Sequence, residues 1–351
     1  MRKTSIRLLT LLAALAALTV CLSACNKAPL FQQESYVFGT RVEIQIASVD
    51  EAQARPAAAA VLREFYRLHR TYHAWQPSEL SELNAAIANG EAHSISPEMA
   101  ALITQAQALA QEGEALFDPG IGGLIRLWGF QSDEYKPVLP DPAALAAWRE
   151  AKPGIADLRI ADKQISSTNK AVALDFGGYL KGFALDRAAS ILRDRGINNA
   201  LINIGGNVMA LGTKNGARWR VGIQHPRQPG PLATIALNDG EAIGTSGDYQ
   251  RFFEFDGKRY CHLLDPHSGE PVSHTQALAV LIAPGPSAGT LSDVTSKPLF
   301  IAGANWPKLA KSMNINEVLR IDATGKVQVS AALDQRLEFT DNKPKNIEIL
   351  P

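Results

Sequence analysis

Cysteine is scarce in this 351-residue chain, which has three: Cys21, Cys25 and Cys261. Two of them fall in the N-terminal apolar region, so a processed chain would keep only the Cys261 thiol, and an internal disulfide is excluded. An excess of one charge is missing too. Lys and Arg together number 35, and so do Asp and Glu; without a basic face there is no electrostatic footprint for nucleic acid. No stretch fits the dinucleotide pattern G-x-G-x-x-G or the phosphate loop ending in Gly-Lys-Ser/Thr. After Pro29, neither a flexible linker nor an internal repeat divides the chain, which predicts one domain.

Long hydrophobic runs are confined to one place. Arg2, Lys3 and Arg7 precede an apolar run from Leu8 to Leu22, too short for a membrane span and typical of an export signal. It ends in Leu22-Ser23-Ala24-Cys25, the pattern of a lipobox. We therefore expect residues 1–24 to be a signal peptide, Cys25 to carry lipid, and residues 25–34 to tether a domain over 35–340, with 341–351 as a tail. The protein would be exported and lipid-anchored on the extracytoplasmic side, and losing its basic signal residues would leave it slightly acidic.

The remaining chain alternates between two periods. Residues 35–48, "SYVFGTRVEIQIAS", read as strands around a Gly-Thr turn. An alanine-rich helix follows, with Val61, Leu62, Phe65 and Leu68 on one face and Pro56 expected in its first turn. Ser96 and Pro97 mark another helix start. From Ala171 the order is strand, glycine turn, helix and strand, with Gly196 as the helix terminator. Further strands read at "ATIALND", "QRFFEFDGKRY" and "ALAVLIAP", and a hairpin at "DATGK". The fold class is α+β.

Four junctions concentrate glycine and polar residues: "ALFDPGIGGLIRLWGF", "LDFGGYLKG", "NIGGNV" and "IGTSGDYQRFF". Glycines there let backbone amides approach a ligand closely. A further stretch, "KRYCHLLDPHSGEPV", places His262 at a strand end before an Asp-Pro turn. On the residues alone, His262 reads as a general base or as a side chain that holds the turn through Asp265.

Taken in order, "FGT", "SELSELN", "FDPGIGGLIRLWGF", "LDFGGYLKGFALD", "NIGGNV", "TSGDYQRFFEFDGKRYCHLLDPHSGEPV" and "SDVTSKPLF" resemble the ApbE family of FAD:protein FMN transferases. The match runs through nearly all of the chain after the signal. It implies a single mixed domain of the T-fold-like type, and cleavage of FAD with transfer of FMN to a Thr or Ser hydroxyl of an acceptor protein, releasing AMP. The acceptors implied are redox subunits of Na⁺-translocating NADH:quinone oxidoreductase or Rnf type.

By the same resemblance, His262 is the catalytic base and Asp293 binds Mg²⁺ together with a backbone carbonyl, that of Gly178. Phe38, Trp75, Leu116, Phe117, Asp118, Asp175, Lys181 and Leu263 are expected at the nucleotide, with Trp75 stacked on the flavin. Thr245, Ser246 and Gly247 are expected to shape the same cleft, beside the acceptor or the adenine. This chain departs from the family at Lys297, where a threonine ligand is common. Ser296 or Thr295 would then supply the missing oxygen, or the Lys297 ammonium would itself neutralise the diphosphate; as a plain alternative, Asp293 and Lys297 form an i,i+4 pair near Pro298. Rival activities are Mg²⁺-dependent FAD hydrolysis and simple FAD carriage.

Overall fold

In the computed structural model, residues 30–132, 134, 136–340, 344 and 346–350 are described. The signal peptide and Cys25 lie outside them. A nine-stranded sheet forms the centre, and its strands follow one another in chain order. They are Leu30–Val37, Thr40–Ala47, Ala200–Ile204, Asn207–Leu211, Ala242–Gly247, Thr275–Ile282, Glu317–Asp322, Val327–Ser330 and Ile347–Leu350. Every pairing is antiparallel except the last, where Ile347–Leu350 runs parallel to Val327–Ser330. Two boundaries shift accordingly: the first strand starts inside the expected tether, and the expected tail contributes the edge strand.

Period-2 alternation splits the sheet's side chains between two cores. Ala200, Ile202, Ile204, Ala242, Leu278 and Val280 face helices in one cluster. Ile243, Ala277, Ala279 and Leu281 face the other cluster, which contains Trp219, Leu232 and Ile235 from the three-stranded sheet Trp219–Gln224, Pro231–Leu237 and Leu337–Phe339. The large sheet is thus covered on both faces.

On the helical face the main elements are Glu51–Thr71, Leu180–Arg193 and Ala288–Ala302. Asp50 caps the first by accepting from the Gln53 amide, so Pro56 falls beyond the first turn and inside the helix, not where the sequence predicts it. The second closes as expected on Gly196, which is left-handed at φ 72°; the amides of Gly196 and Ile197 donate to the carbonyls of Arg193 and Leu192, the Schellman arrangement. The third contains Pro298, so proline does not end the helix that carries Asp293 and Lys297.

A third apolar cluster joins Trp128, Phe130, Trp148, Phe253 and Leu264. It fastens the loops after Phe117 to the Phe252–Phe255 and Lys258–Cys261 hairpin. Among the described residues no helix is long and apolar enough to cross a membrane.

Candidate active site

The two helices that build the site touch through glycine. A Cβ on Gly182 would lie 2.4 Å from the Gly289 carbonyl oxygen and 2.6 Å from Asp293 Cβ, so only hydrogen fits at this crossing. The close approach lets the Gly182 amide donate to Asp293 Oδ2 at 2.8 Å. Asp186, on the same helix as Gly182, accepts from the amides of Gly289 and Thr290 and from the Thr290 hydroxyl. It caps the neighbouring helix, and burial pushes its carboxyl up to about 6.

Asp293 is fully buried, and its partner is Lys297. Nζ donates to Asp293 Oδ1 at 2.5 Å and to the Asp293 carbonyl at 2.7 Å. The lysine stem lies against Gly178, where a Cβ would come 3.0 Å from Lys297 Cε. Gly178 and Asp293 thus both meet the Lys297 side chain, in place of the metal expected between them. Ser296 does not complete an oxygen set with them: its hydroxyl donates to the Asp293 carbonyl and meets Ser246 Oγ at 2.8 Å. Among the described residues, no group of three or more His, Cys, Asp or Glu is placed to hold a metal. Both Asp293 oxygens are already engaged, so the expected Mg²⁺ does not fit these side chains as they stand.

His262 leaves the Lys258–Cys261 strand with its amide donating to the Arg251 carbonyl at 3.0 Å. Its Nδ1 lies 3.1 Å from that same oxygen. A carbonyl only accepts, so Nδ1 carries the proton and Nε2 keeps its lone pair. Asp265 does not touch the imidazole; it binds the His267 amide and the Ser268 hydroxyl and holds the turn without it. Burial, the Arg251 guanidinium, and the Lys181 and Lys297 ammoniums push the imidazole down to about 3. Lys181 is lowered as well, first by burial, against the Asp293 carboxylate that favours its charge.

Trp75 lies half-buried at the other side of the "DFGG" turn. Its indole N–H donates to Asp175 Oδ2 at 2.9 Å, while Asp175 Oδ1 accepts from Gly177; burial raises the Asp175 carboxyl. Arg126 covers a face of the indole at 5.2 Å. Phe38 reaches this neighbourhood through a chain of rings: it meets His69 edge-on at 5.7 Å, and His69 meets His73 at 5.0 Å. The Trp75 amide donates to His73 Nδ1. Phe117 stands 3.8 Å from the Cβ position of Gly178, next to the partly buried Leu116, and Leu263 is buried beside His262.

Two expected residues serve the frame, and one points elsewhere. Asp118 spends one oxygen on the amides of Gly120 and Ile155, and burial pushes it up to about 6; it clamps a loop. Gly247 lies under the Tyr249 ring. Alternation along Ala242–Gly247 turns Ser246 toward Ser296 but Thr245 to the opposite face, where it lines a separate cleft with Glu43, Asn203, Arg220 and Tyr249. The "SELSELN" stretch is a capping box of Ser78 with Ser81, followed by Asn84, which brackets Leu174 through both its amide and carbonyl and so fixes the segment leading to Asp175. Where the sequence predicts a strand from Ala171, this segment makes only an isolated bridge of Ala173 with Ile121.

Sequence reasoning missed Arg251, Arg126, His69 and His73. Arg251 was findable in the "TSGDYQRFF" stretch as the cation nearest that junction. The other three carry no local signal, because only the fold brings them to Trp75.

The pattern of the ApbE family matches residues 38–319. The chain belongs to the ApbE family. It is 39% identical over 90% of its length to an FAD:protein FMN transferase of Rhodobacter capsulatus, spanning 60% of that protein. It is 29% identical to one of Klebsiella pneumoniae, covering 78% of this chain and 81% of that one. Among solved structures, the ApbE protein of Thermotoga maritima superposes with a TM-score of 0.80 at 28% identity, over 88% of this chain and 99% of that one. The flavin transferase ApbE of Vibrio cholerae gives 0.76 at 27% identity, with the same coverage. The family assignment accounts for the mixed architecture.

Proposed function

We propose that this protein is an FAD:protein FMN transferase. The observation that carries the reading is the orientation of His262: Nδ1 is tied to a carbonyl, Nε2 is free, and three cations surround it. Phosphoryl transfer needs a base for the incoming hydroxyl and positive charge at the diphosphate. Nε2 would take the proton of an acceptor Thr or Ser as its oxygen attacks the phosphorus on the flavin side. The bond from that phosphorus to the bridging oxygen breaks, and AMP leaves with the electron pair. An imidazole held at about 3 is a weak base, but the diphosphate's negative charge would offset Arg251, Lys181 and Lys297 and raise it toward neutrality. Base strength would then arrive with the substrate.

Trp75, its edge fixed by Asp175, supplies a flat apolar face for the isoalloxazine. Phe38, Leu116, Phe117 and Leu263 line the approach, and Lys181 offers point charge to phosphate. The acceptors we propose are exported redox subunits of Na⁺-translocating NADH:quinone oxidoreductase or Rnf type. They would be met at the membrane through lipid on Cys25, so Cys25→Ser should release the protein from membranes.

The test is incubation of the full chain with FAD and an acceptor domain carrying a flavinylation threonine, read by intact mass and in-gel flavin fluorescence. An FMN-sized gain lost in His262→Ala is expected. AMP release without labelled acceptor would instead mark an FAD pyrophosphatase, and FAD bound intact would mark a carrier.

A further inference from the structure

We infer that the Lys297 ammonium takes the place of a divalent cation at the FAD diphosphate, so that flavin transfer by this chain proceeds without Mg²⁺; the inference rests on the transferase reading above. An ammonium has three N–H donors. Two are spent within the helix, on Asp293 Oδ1 and the Asp293 carbonyl, which leaves one for a phosphate oxygen. The side chain is 14% exposed against 1% for Asp293, so the lysine is the member of the pair that solvent, and hence a ligand, can reach. Its stem passes Gly178 closely, where a Cβ would come 3.0 Å from Cε and 3.2 Å from Cδ.

A metal has no place beside it. Mg²⁺ demands octahedral oxygen at about 2.0–2.1 Å, yet Asp293 already gives Oδ1 to Nζ and Oδ2 to the Gly182 amide. The Ser296 hydroxyl is committed to the Asp293 carbonyl and to Ser246. Binding a dication here would set it against an ammonium on one buried carboxylate. Lysine instead brings one fixed charge to the place where the diphosphate charge needs it, and Lys181 and Arg251 add theirs nearby, as their pull on His262 attests.

The experiment measures initial rates of acceptor flavinylation by the full chain in excess EDTA and in MgCl₂. The wild type should keep its rate within about twofold between the two. Lys297→Thr should fall at least about 100-fold in EDTA and recover in part with Mg²⁺, whereas Lys297→Met should stay slow in both. Calorimetric titration of MgCl₂ into FAD-free protein should show saturable heat for Lys297→Thr and none for the wild type. Melting curves and FAD binding for each variant separate lost chemistry from lost folding. A wild type that is silent in EDTA and restored by Mg²⁺ overturns this inference and leaves the transferase standing. Absence of transfer in every condition overturns the transferase reading and this inference with it.

Discussion

One hydrogen bond, from His262 Nδ1 to the Arg251 carbonyl, decides which imidazole nitrogen can act, and two predictions belong to that residue. His262→Ala should slow flavinylation by about 10²–10⁴-fold, the usual worth of a positioned base, while FAD binding measured by fluorescence quenching changes little. The second concerns stability. The folded protein holds His262 at about 3, below the ordinary imidazole value, so between about pH 6.5 and 3 the unfolded chain binds a proton that the folded chain refuses. Stability from this group is therefore highest above about pH 6.5 and is lost as pH falls, at up to about 1.4 kcal/mol per pH unit. Urea melts of His262→Gln should show a shallower acid decline than the wild type; an identical decline would place the acid sensitivity elsewhere. Trp75→Asn should raise the share of FAD hydrolysed to AMP and free FMN, as counted by chromatography, because an amide admits water where the indole face excludes it.

At the scale of elements, the crossing of Leu180–Arg193 with Ala288–Ala302 governs the site. Gly182→Ala would drive a methyl into the Gly289 carbonyl and Asp293 Cβ. We expect about 1–3 kcal/mol of destabilisation and, below the melting point, a loss of transfer that exceeds the loss of FAD binding, because Asp293 and Lys297 move together. Helix caps and strand periods were readable from local chemistry: Ser96 accepts from the Met99 amide as its position promised, and Gly196 closes its helix. Proline was read less well. Both Pro56 and Pro298 lie inside helices, because tertiary burial of Ala54, Ala57 and Val61 in one case and of Val294, Leu299 and Phe300 in the other outweighs one missing amide bond. The i,i+4 pair of Asp293 with Lys297 was legible as one of the alternatives at that position, and the structure forms it just ahead of Pro298.

Across the whole molecule, what local pattern could not supply was long-range placement. The alternation in "ALINIGG" and "ALAVLIAP" identified strands, but neither which face met helices nor that Thr245 and Ser246 would face opposite sides of the sheet. The edge strand Ile347–Leu350 shows the same limit: a four-residue apolar alternation after a polar stretch reads as a tail, and only its parallel pairing with Val327–Ser330 makes it part of the sheet. Glu348 joins it further through Lys326 and Gln328, while Ile347 and Leu350 pack on opposite cores. A chain ending at residue 344 would uncover the hydrogen-bonding edge of Val327 and Val329, both fully buried, and such an edge invites pairing with another chain. We expect a melting point lower by a few degrees, from about 1–2 kcal/mol of lost packing, and concentration-dependent aggregation on heating. Flavinylation at 25 °C should persist, because this strand lies four places along the sheet from the one that carries Ser246. Calorimetry and light scattering on the truncated chain, run beside the flavinylation assay, would separate the edge's role in stability from any role in the chemistry.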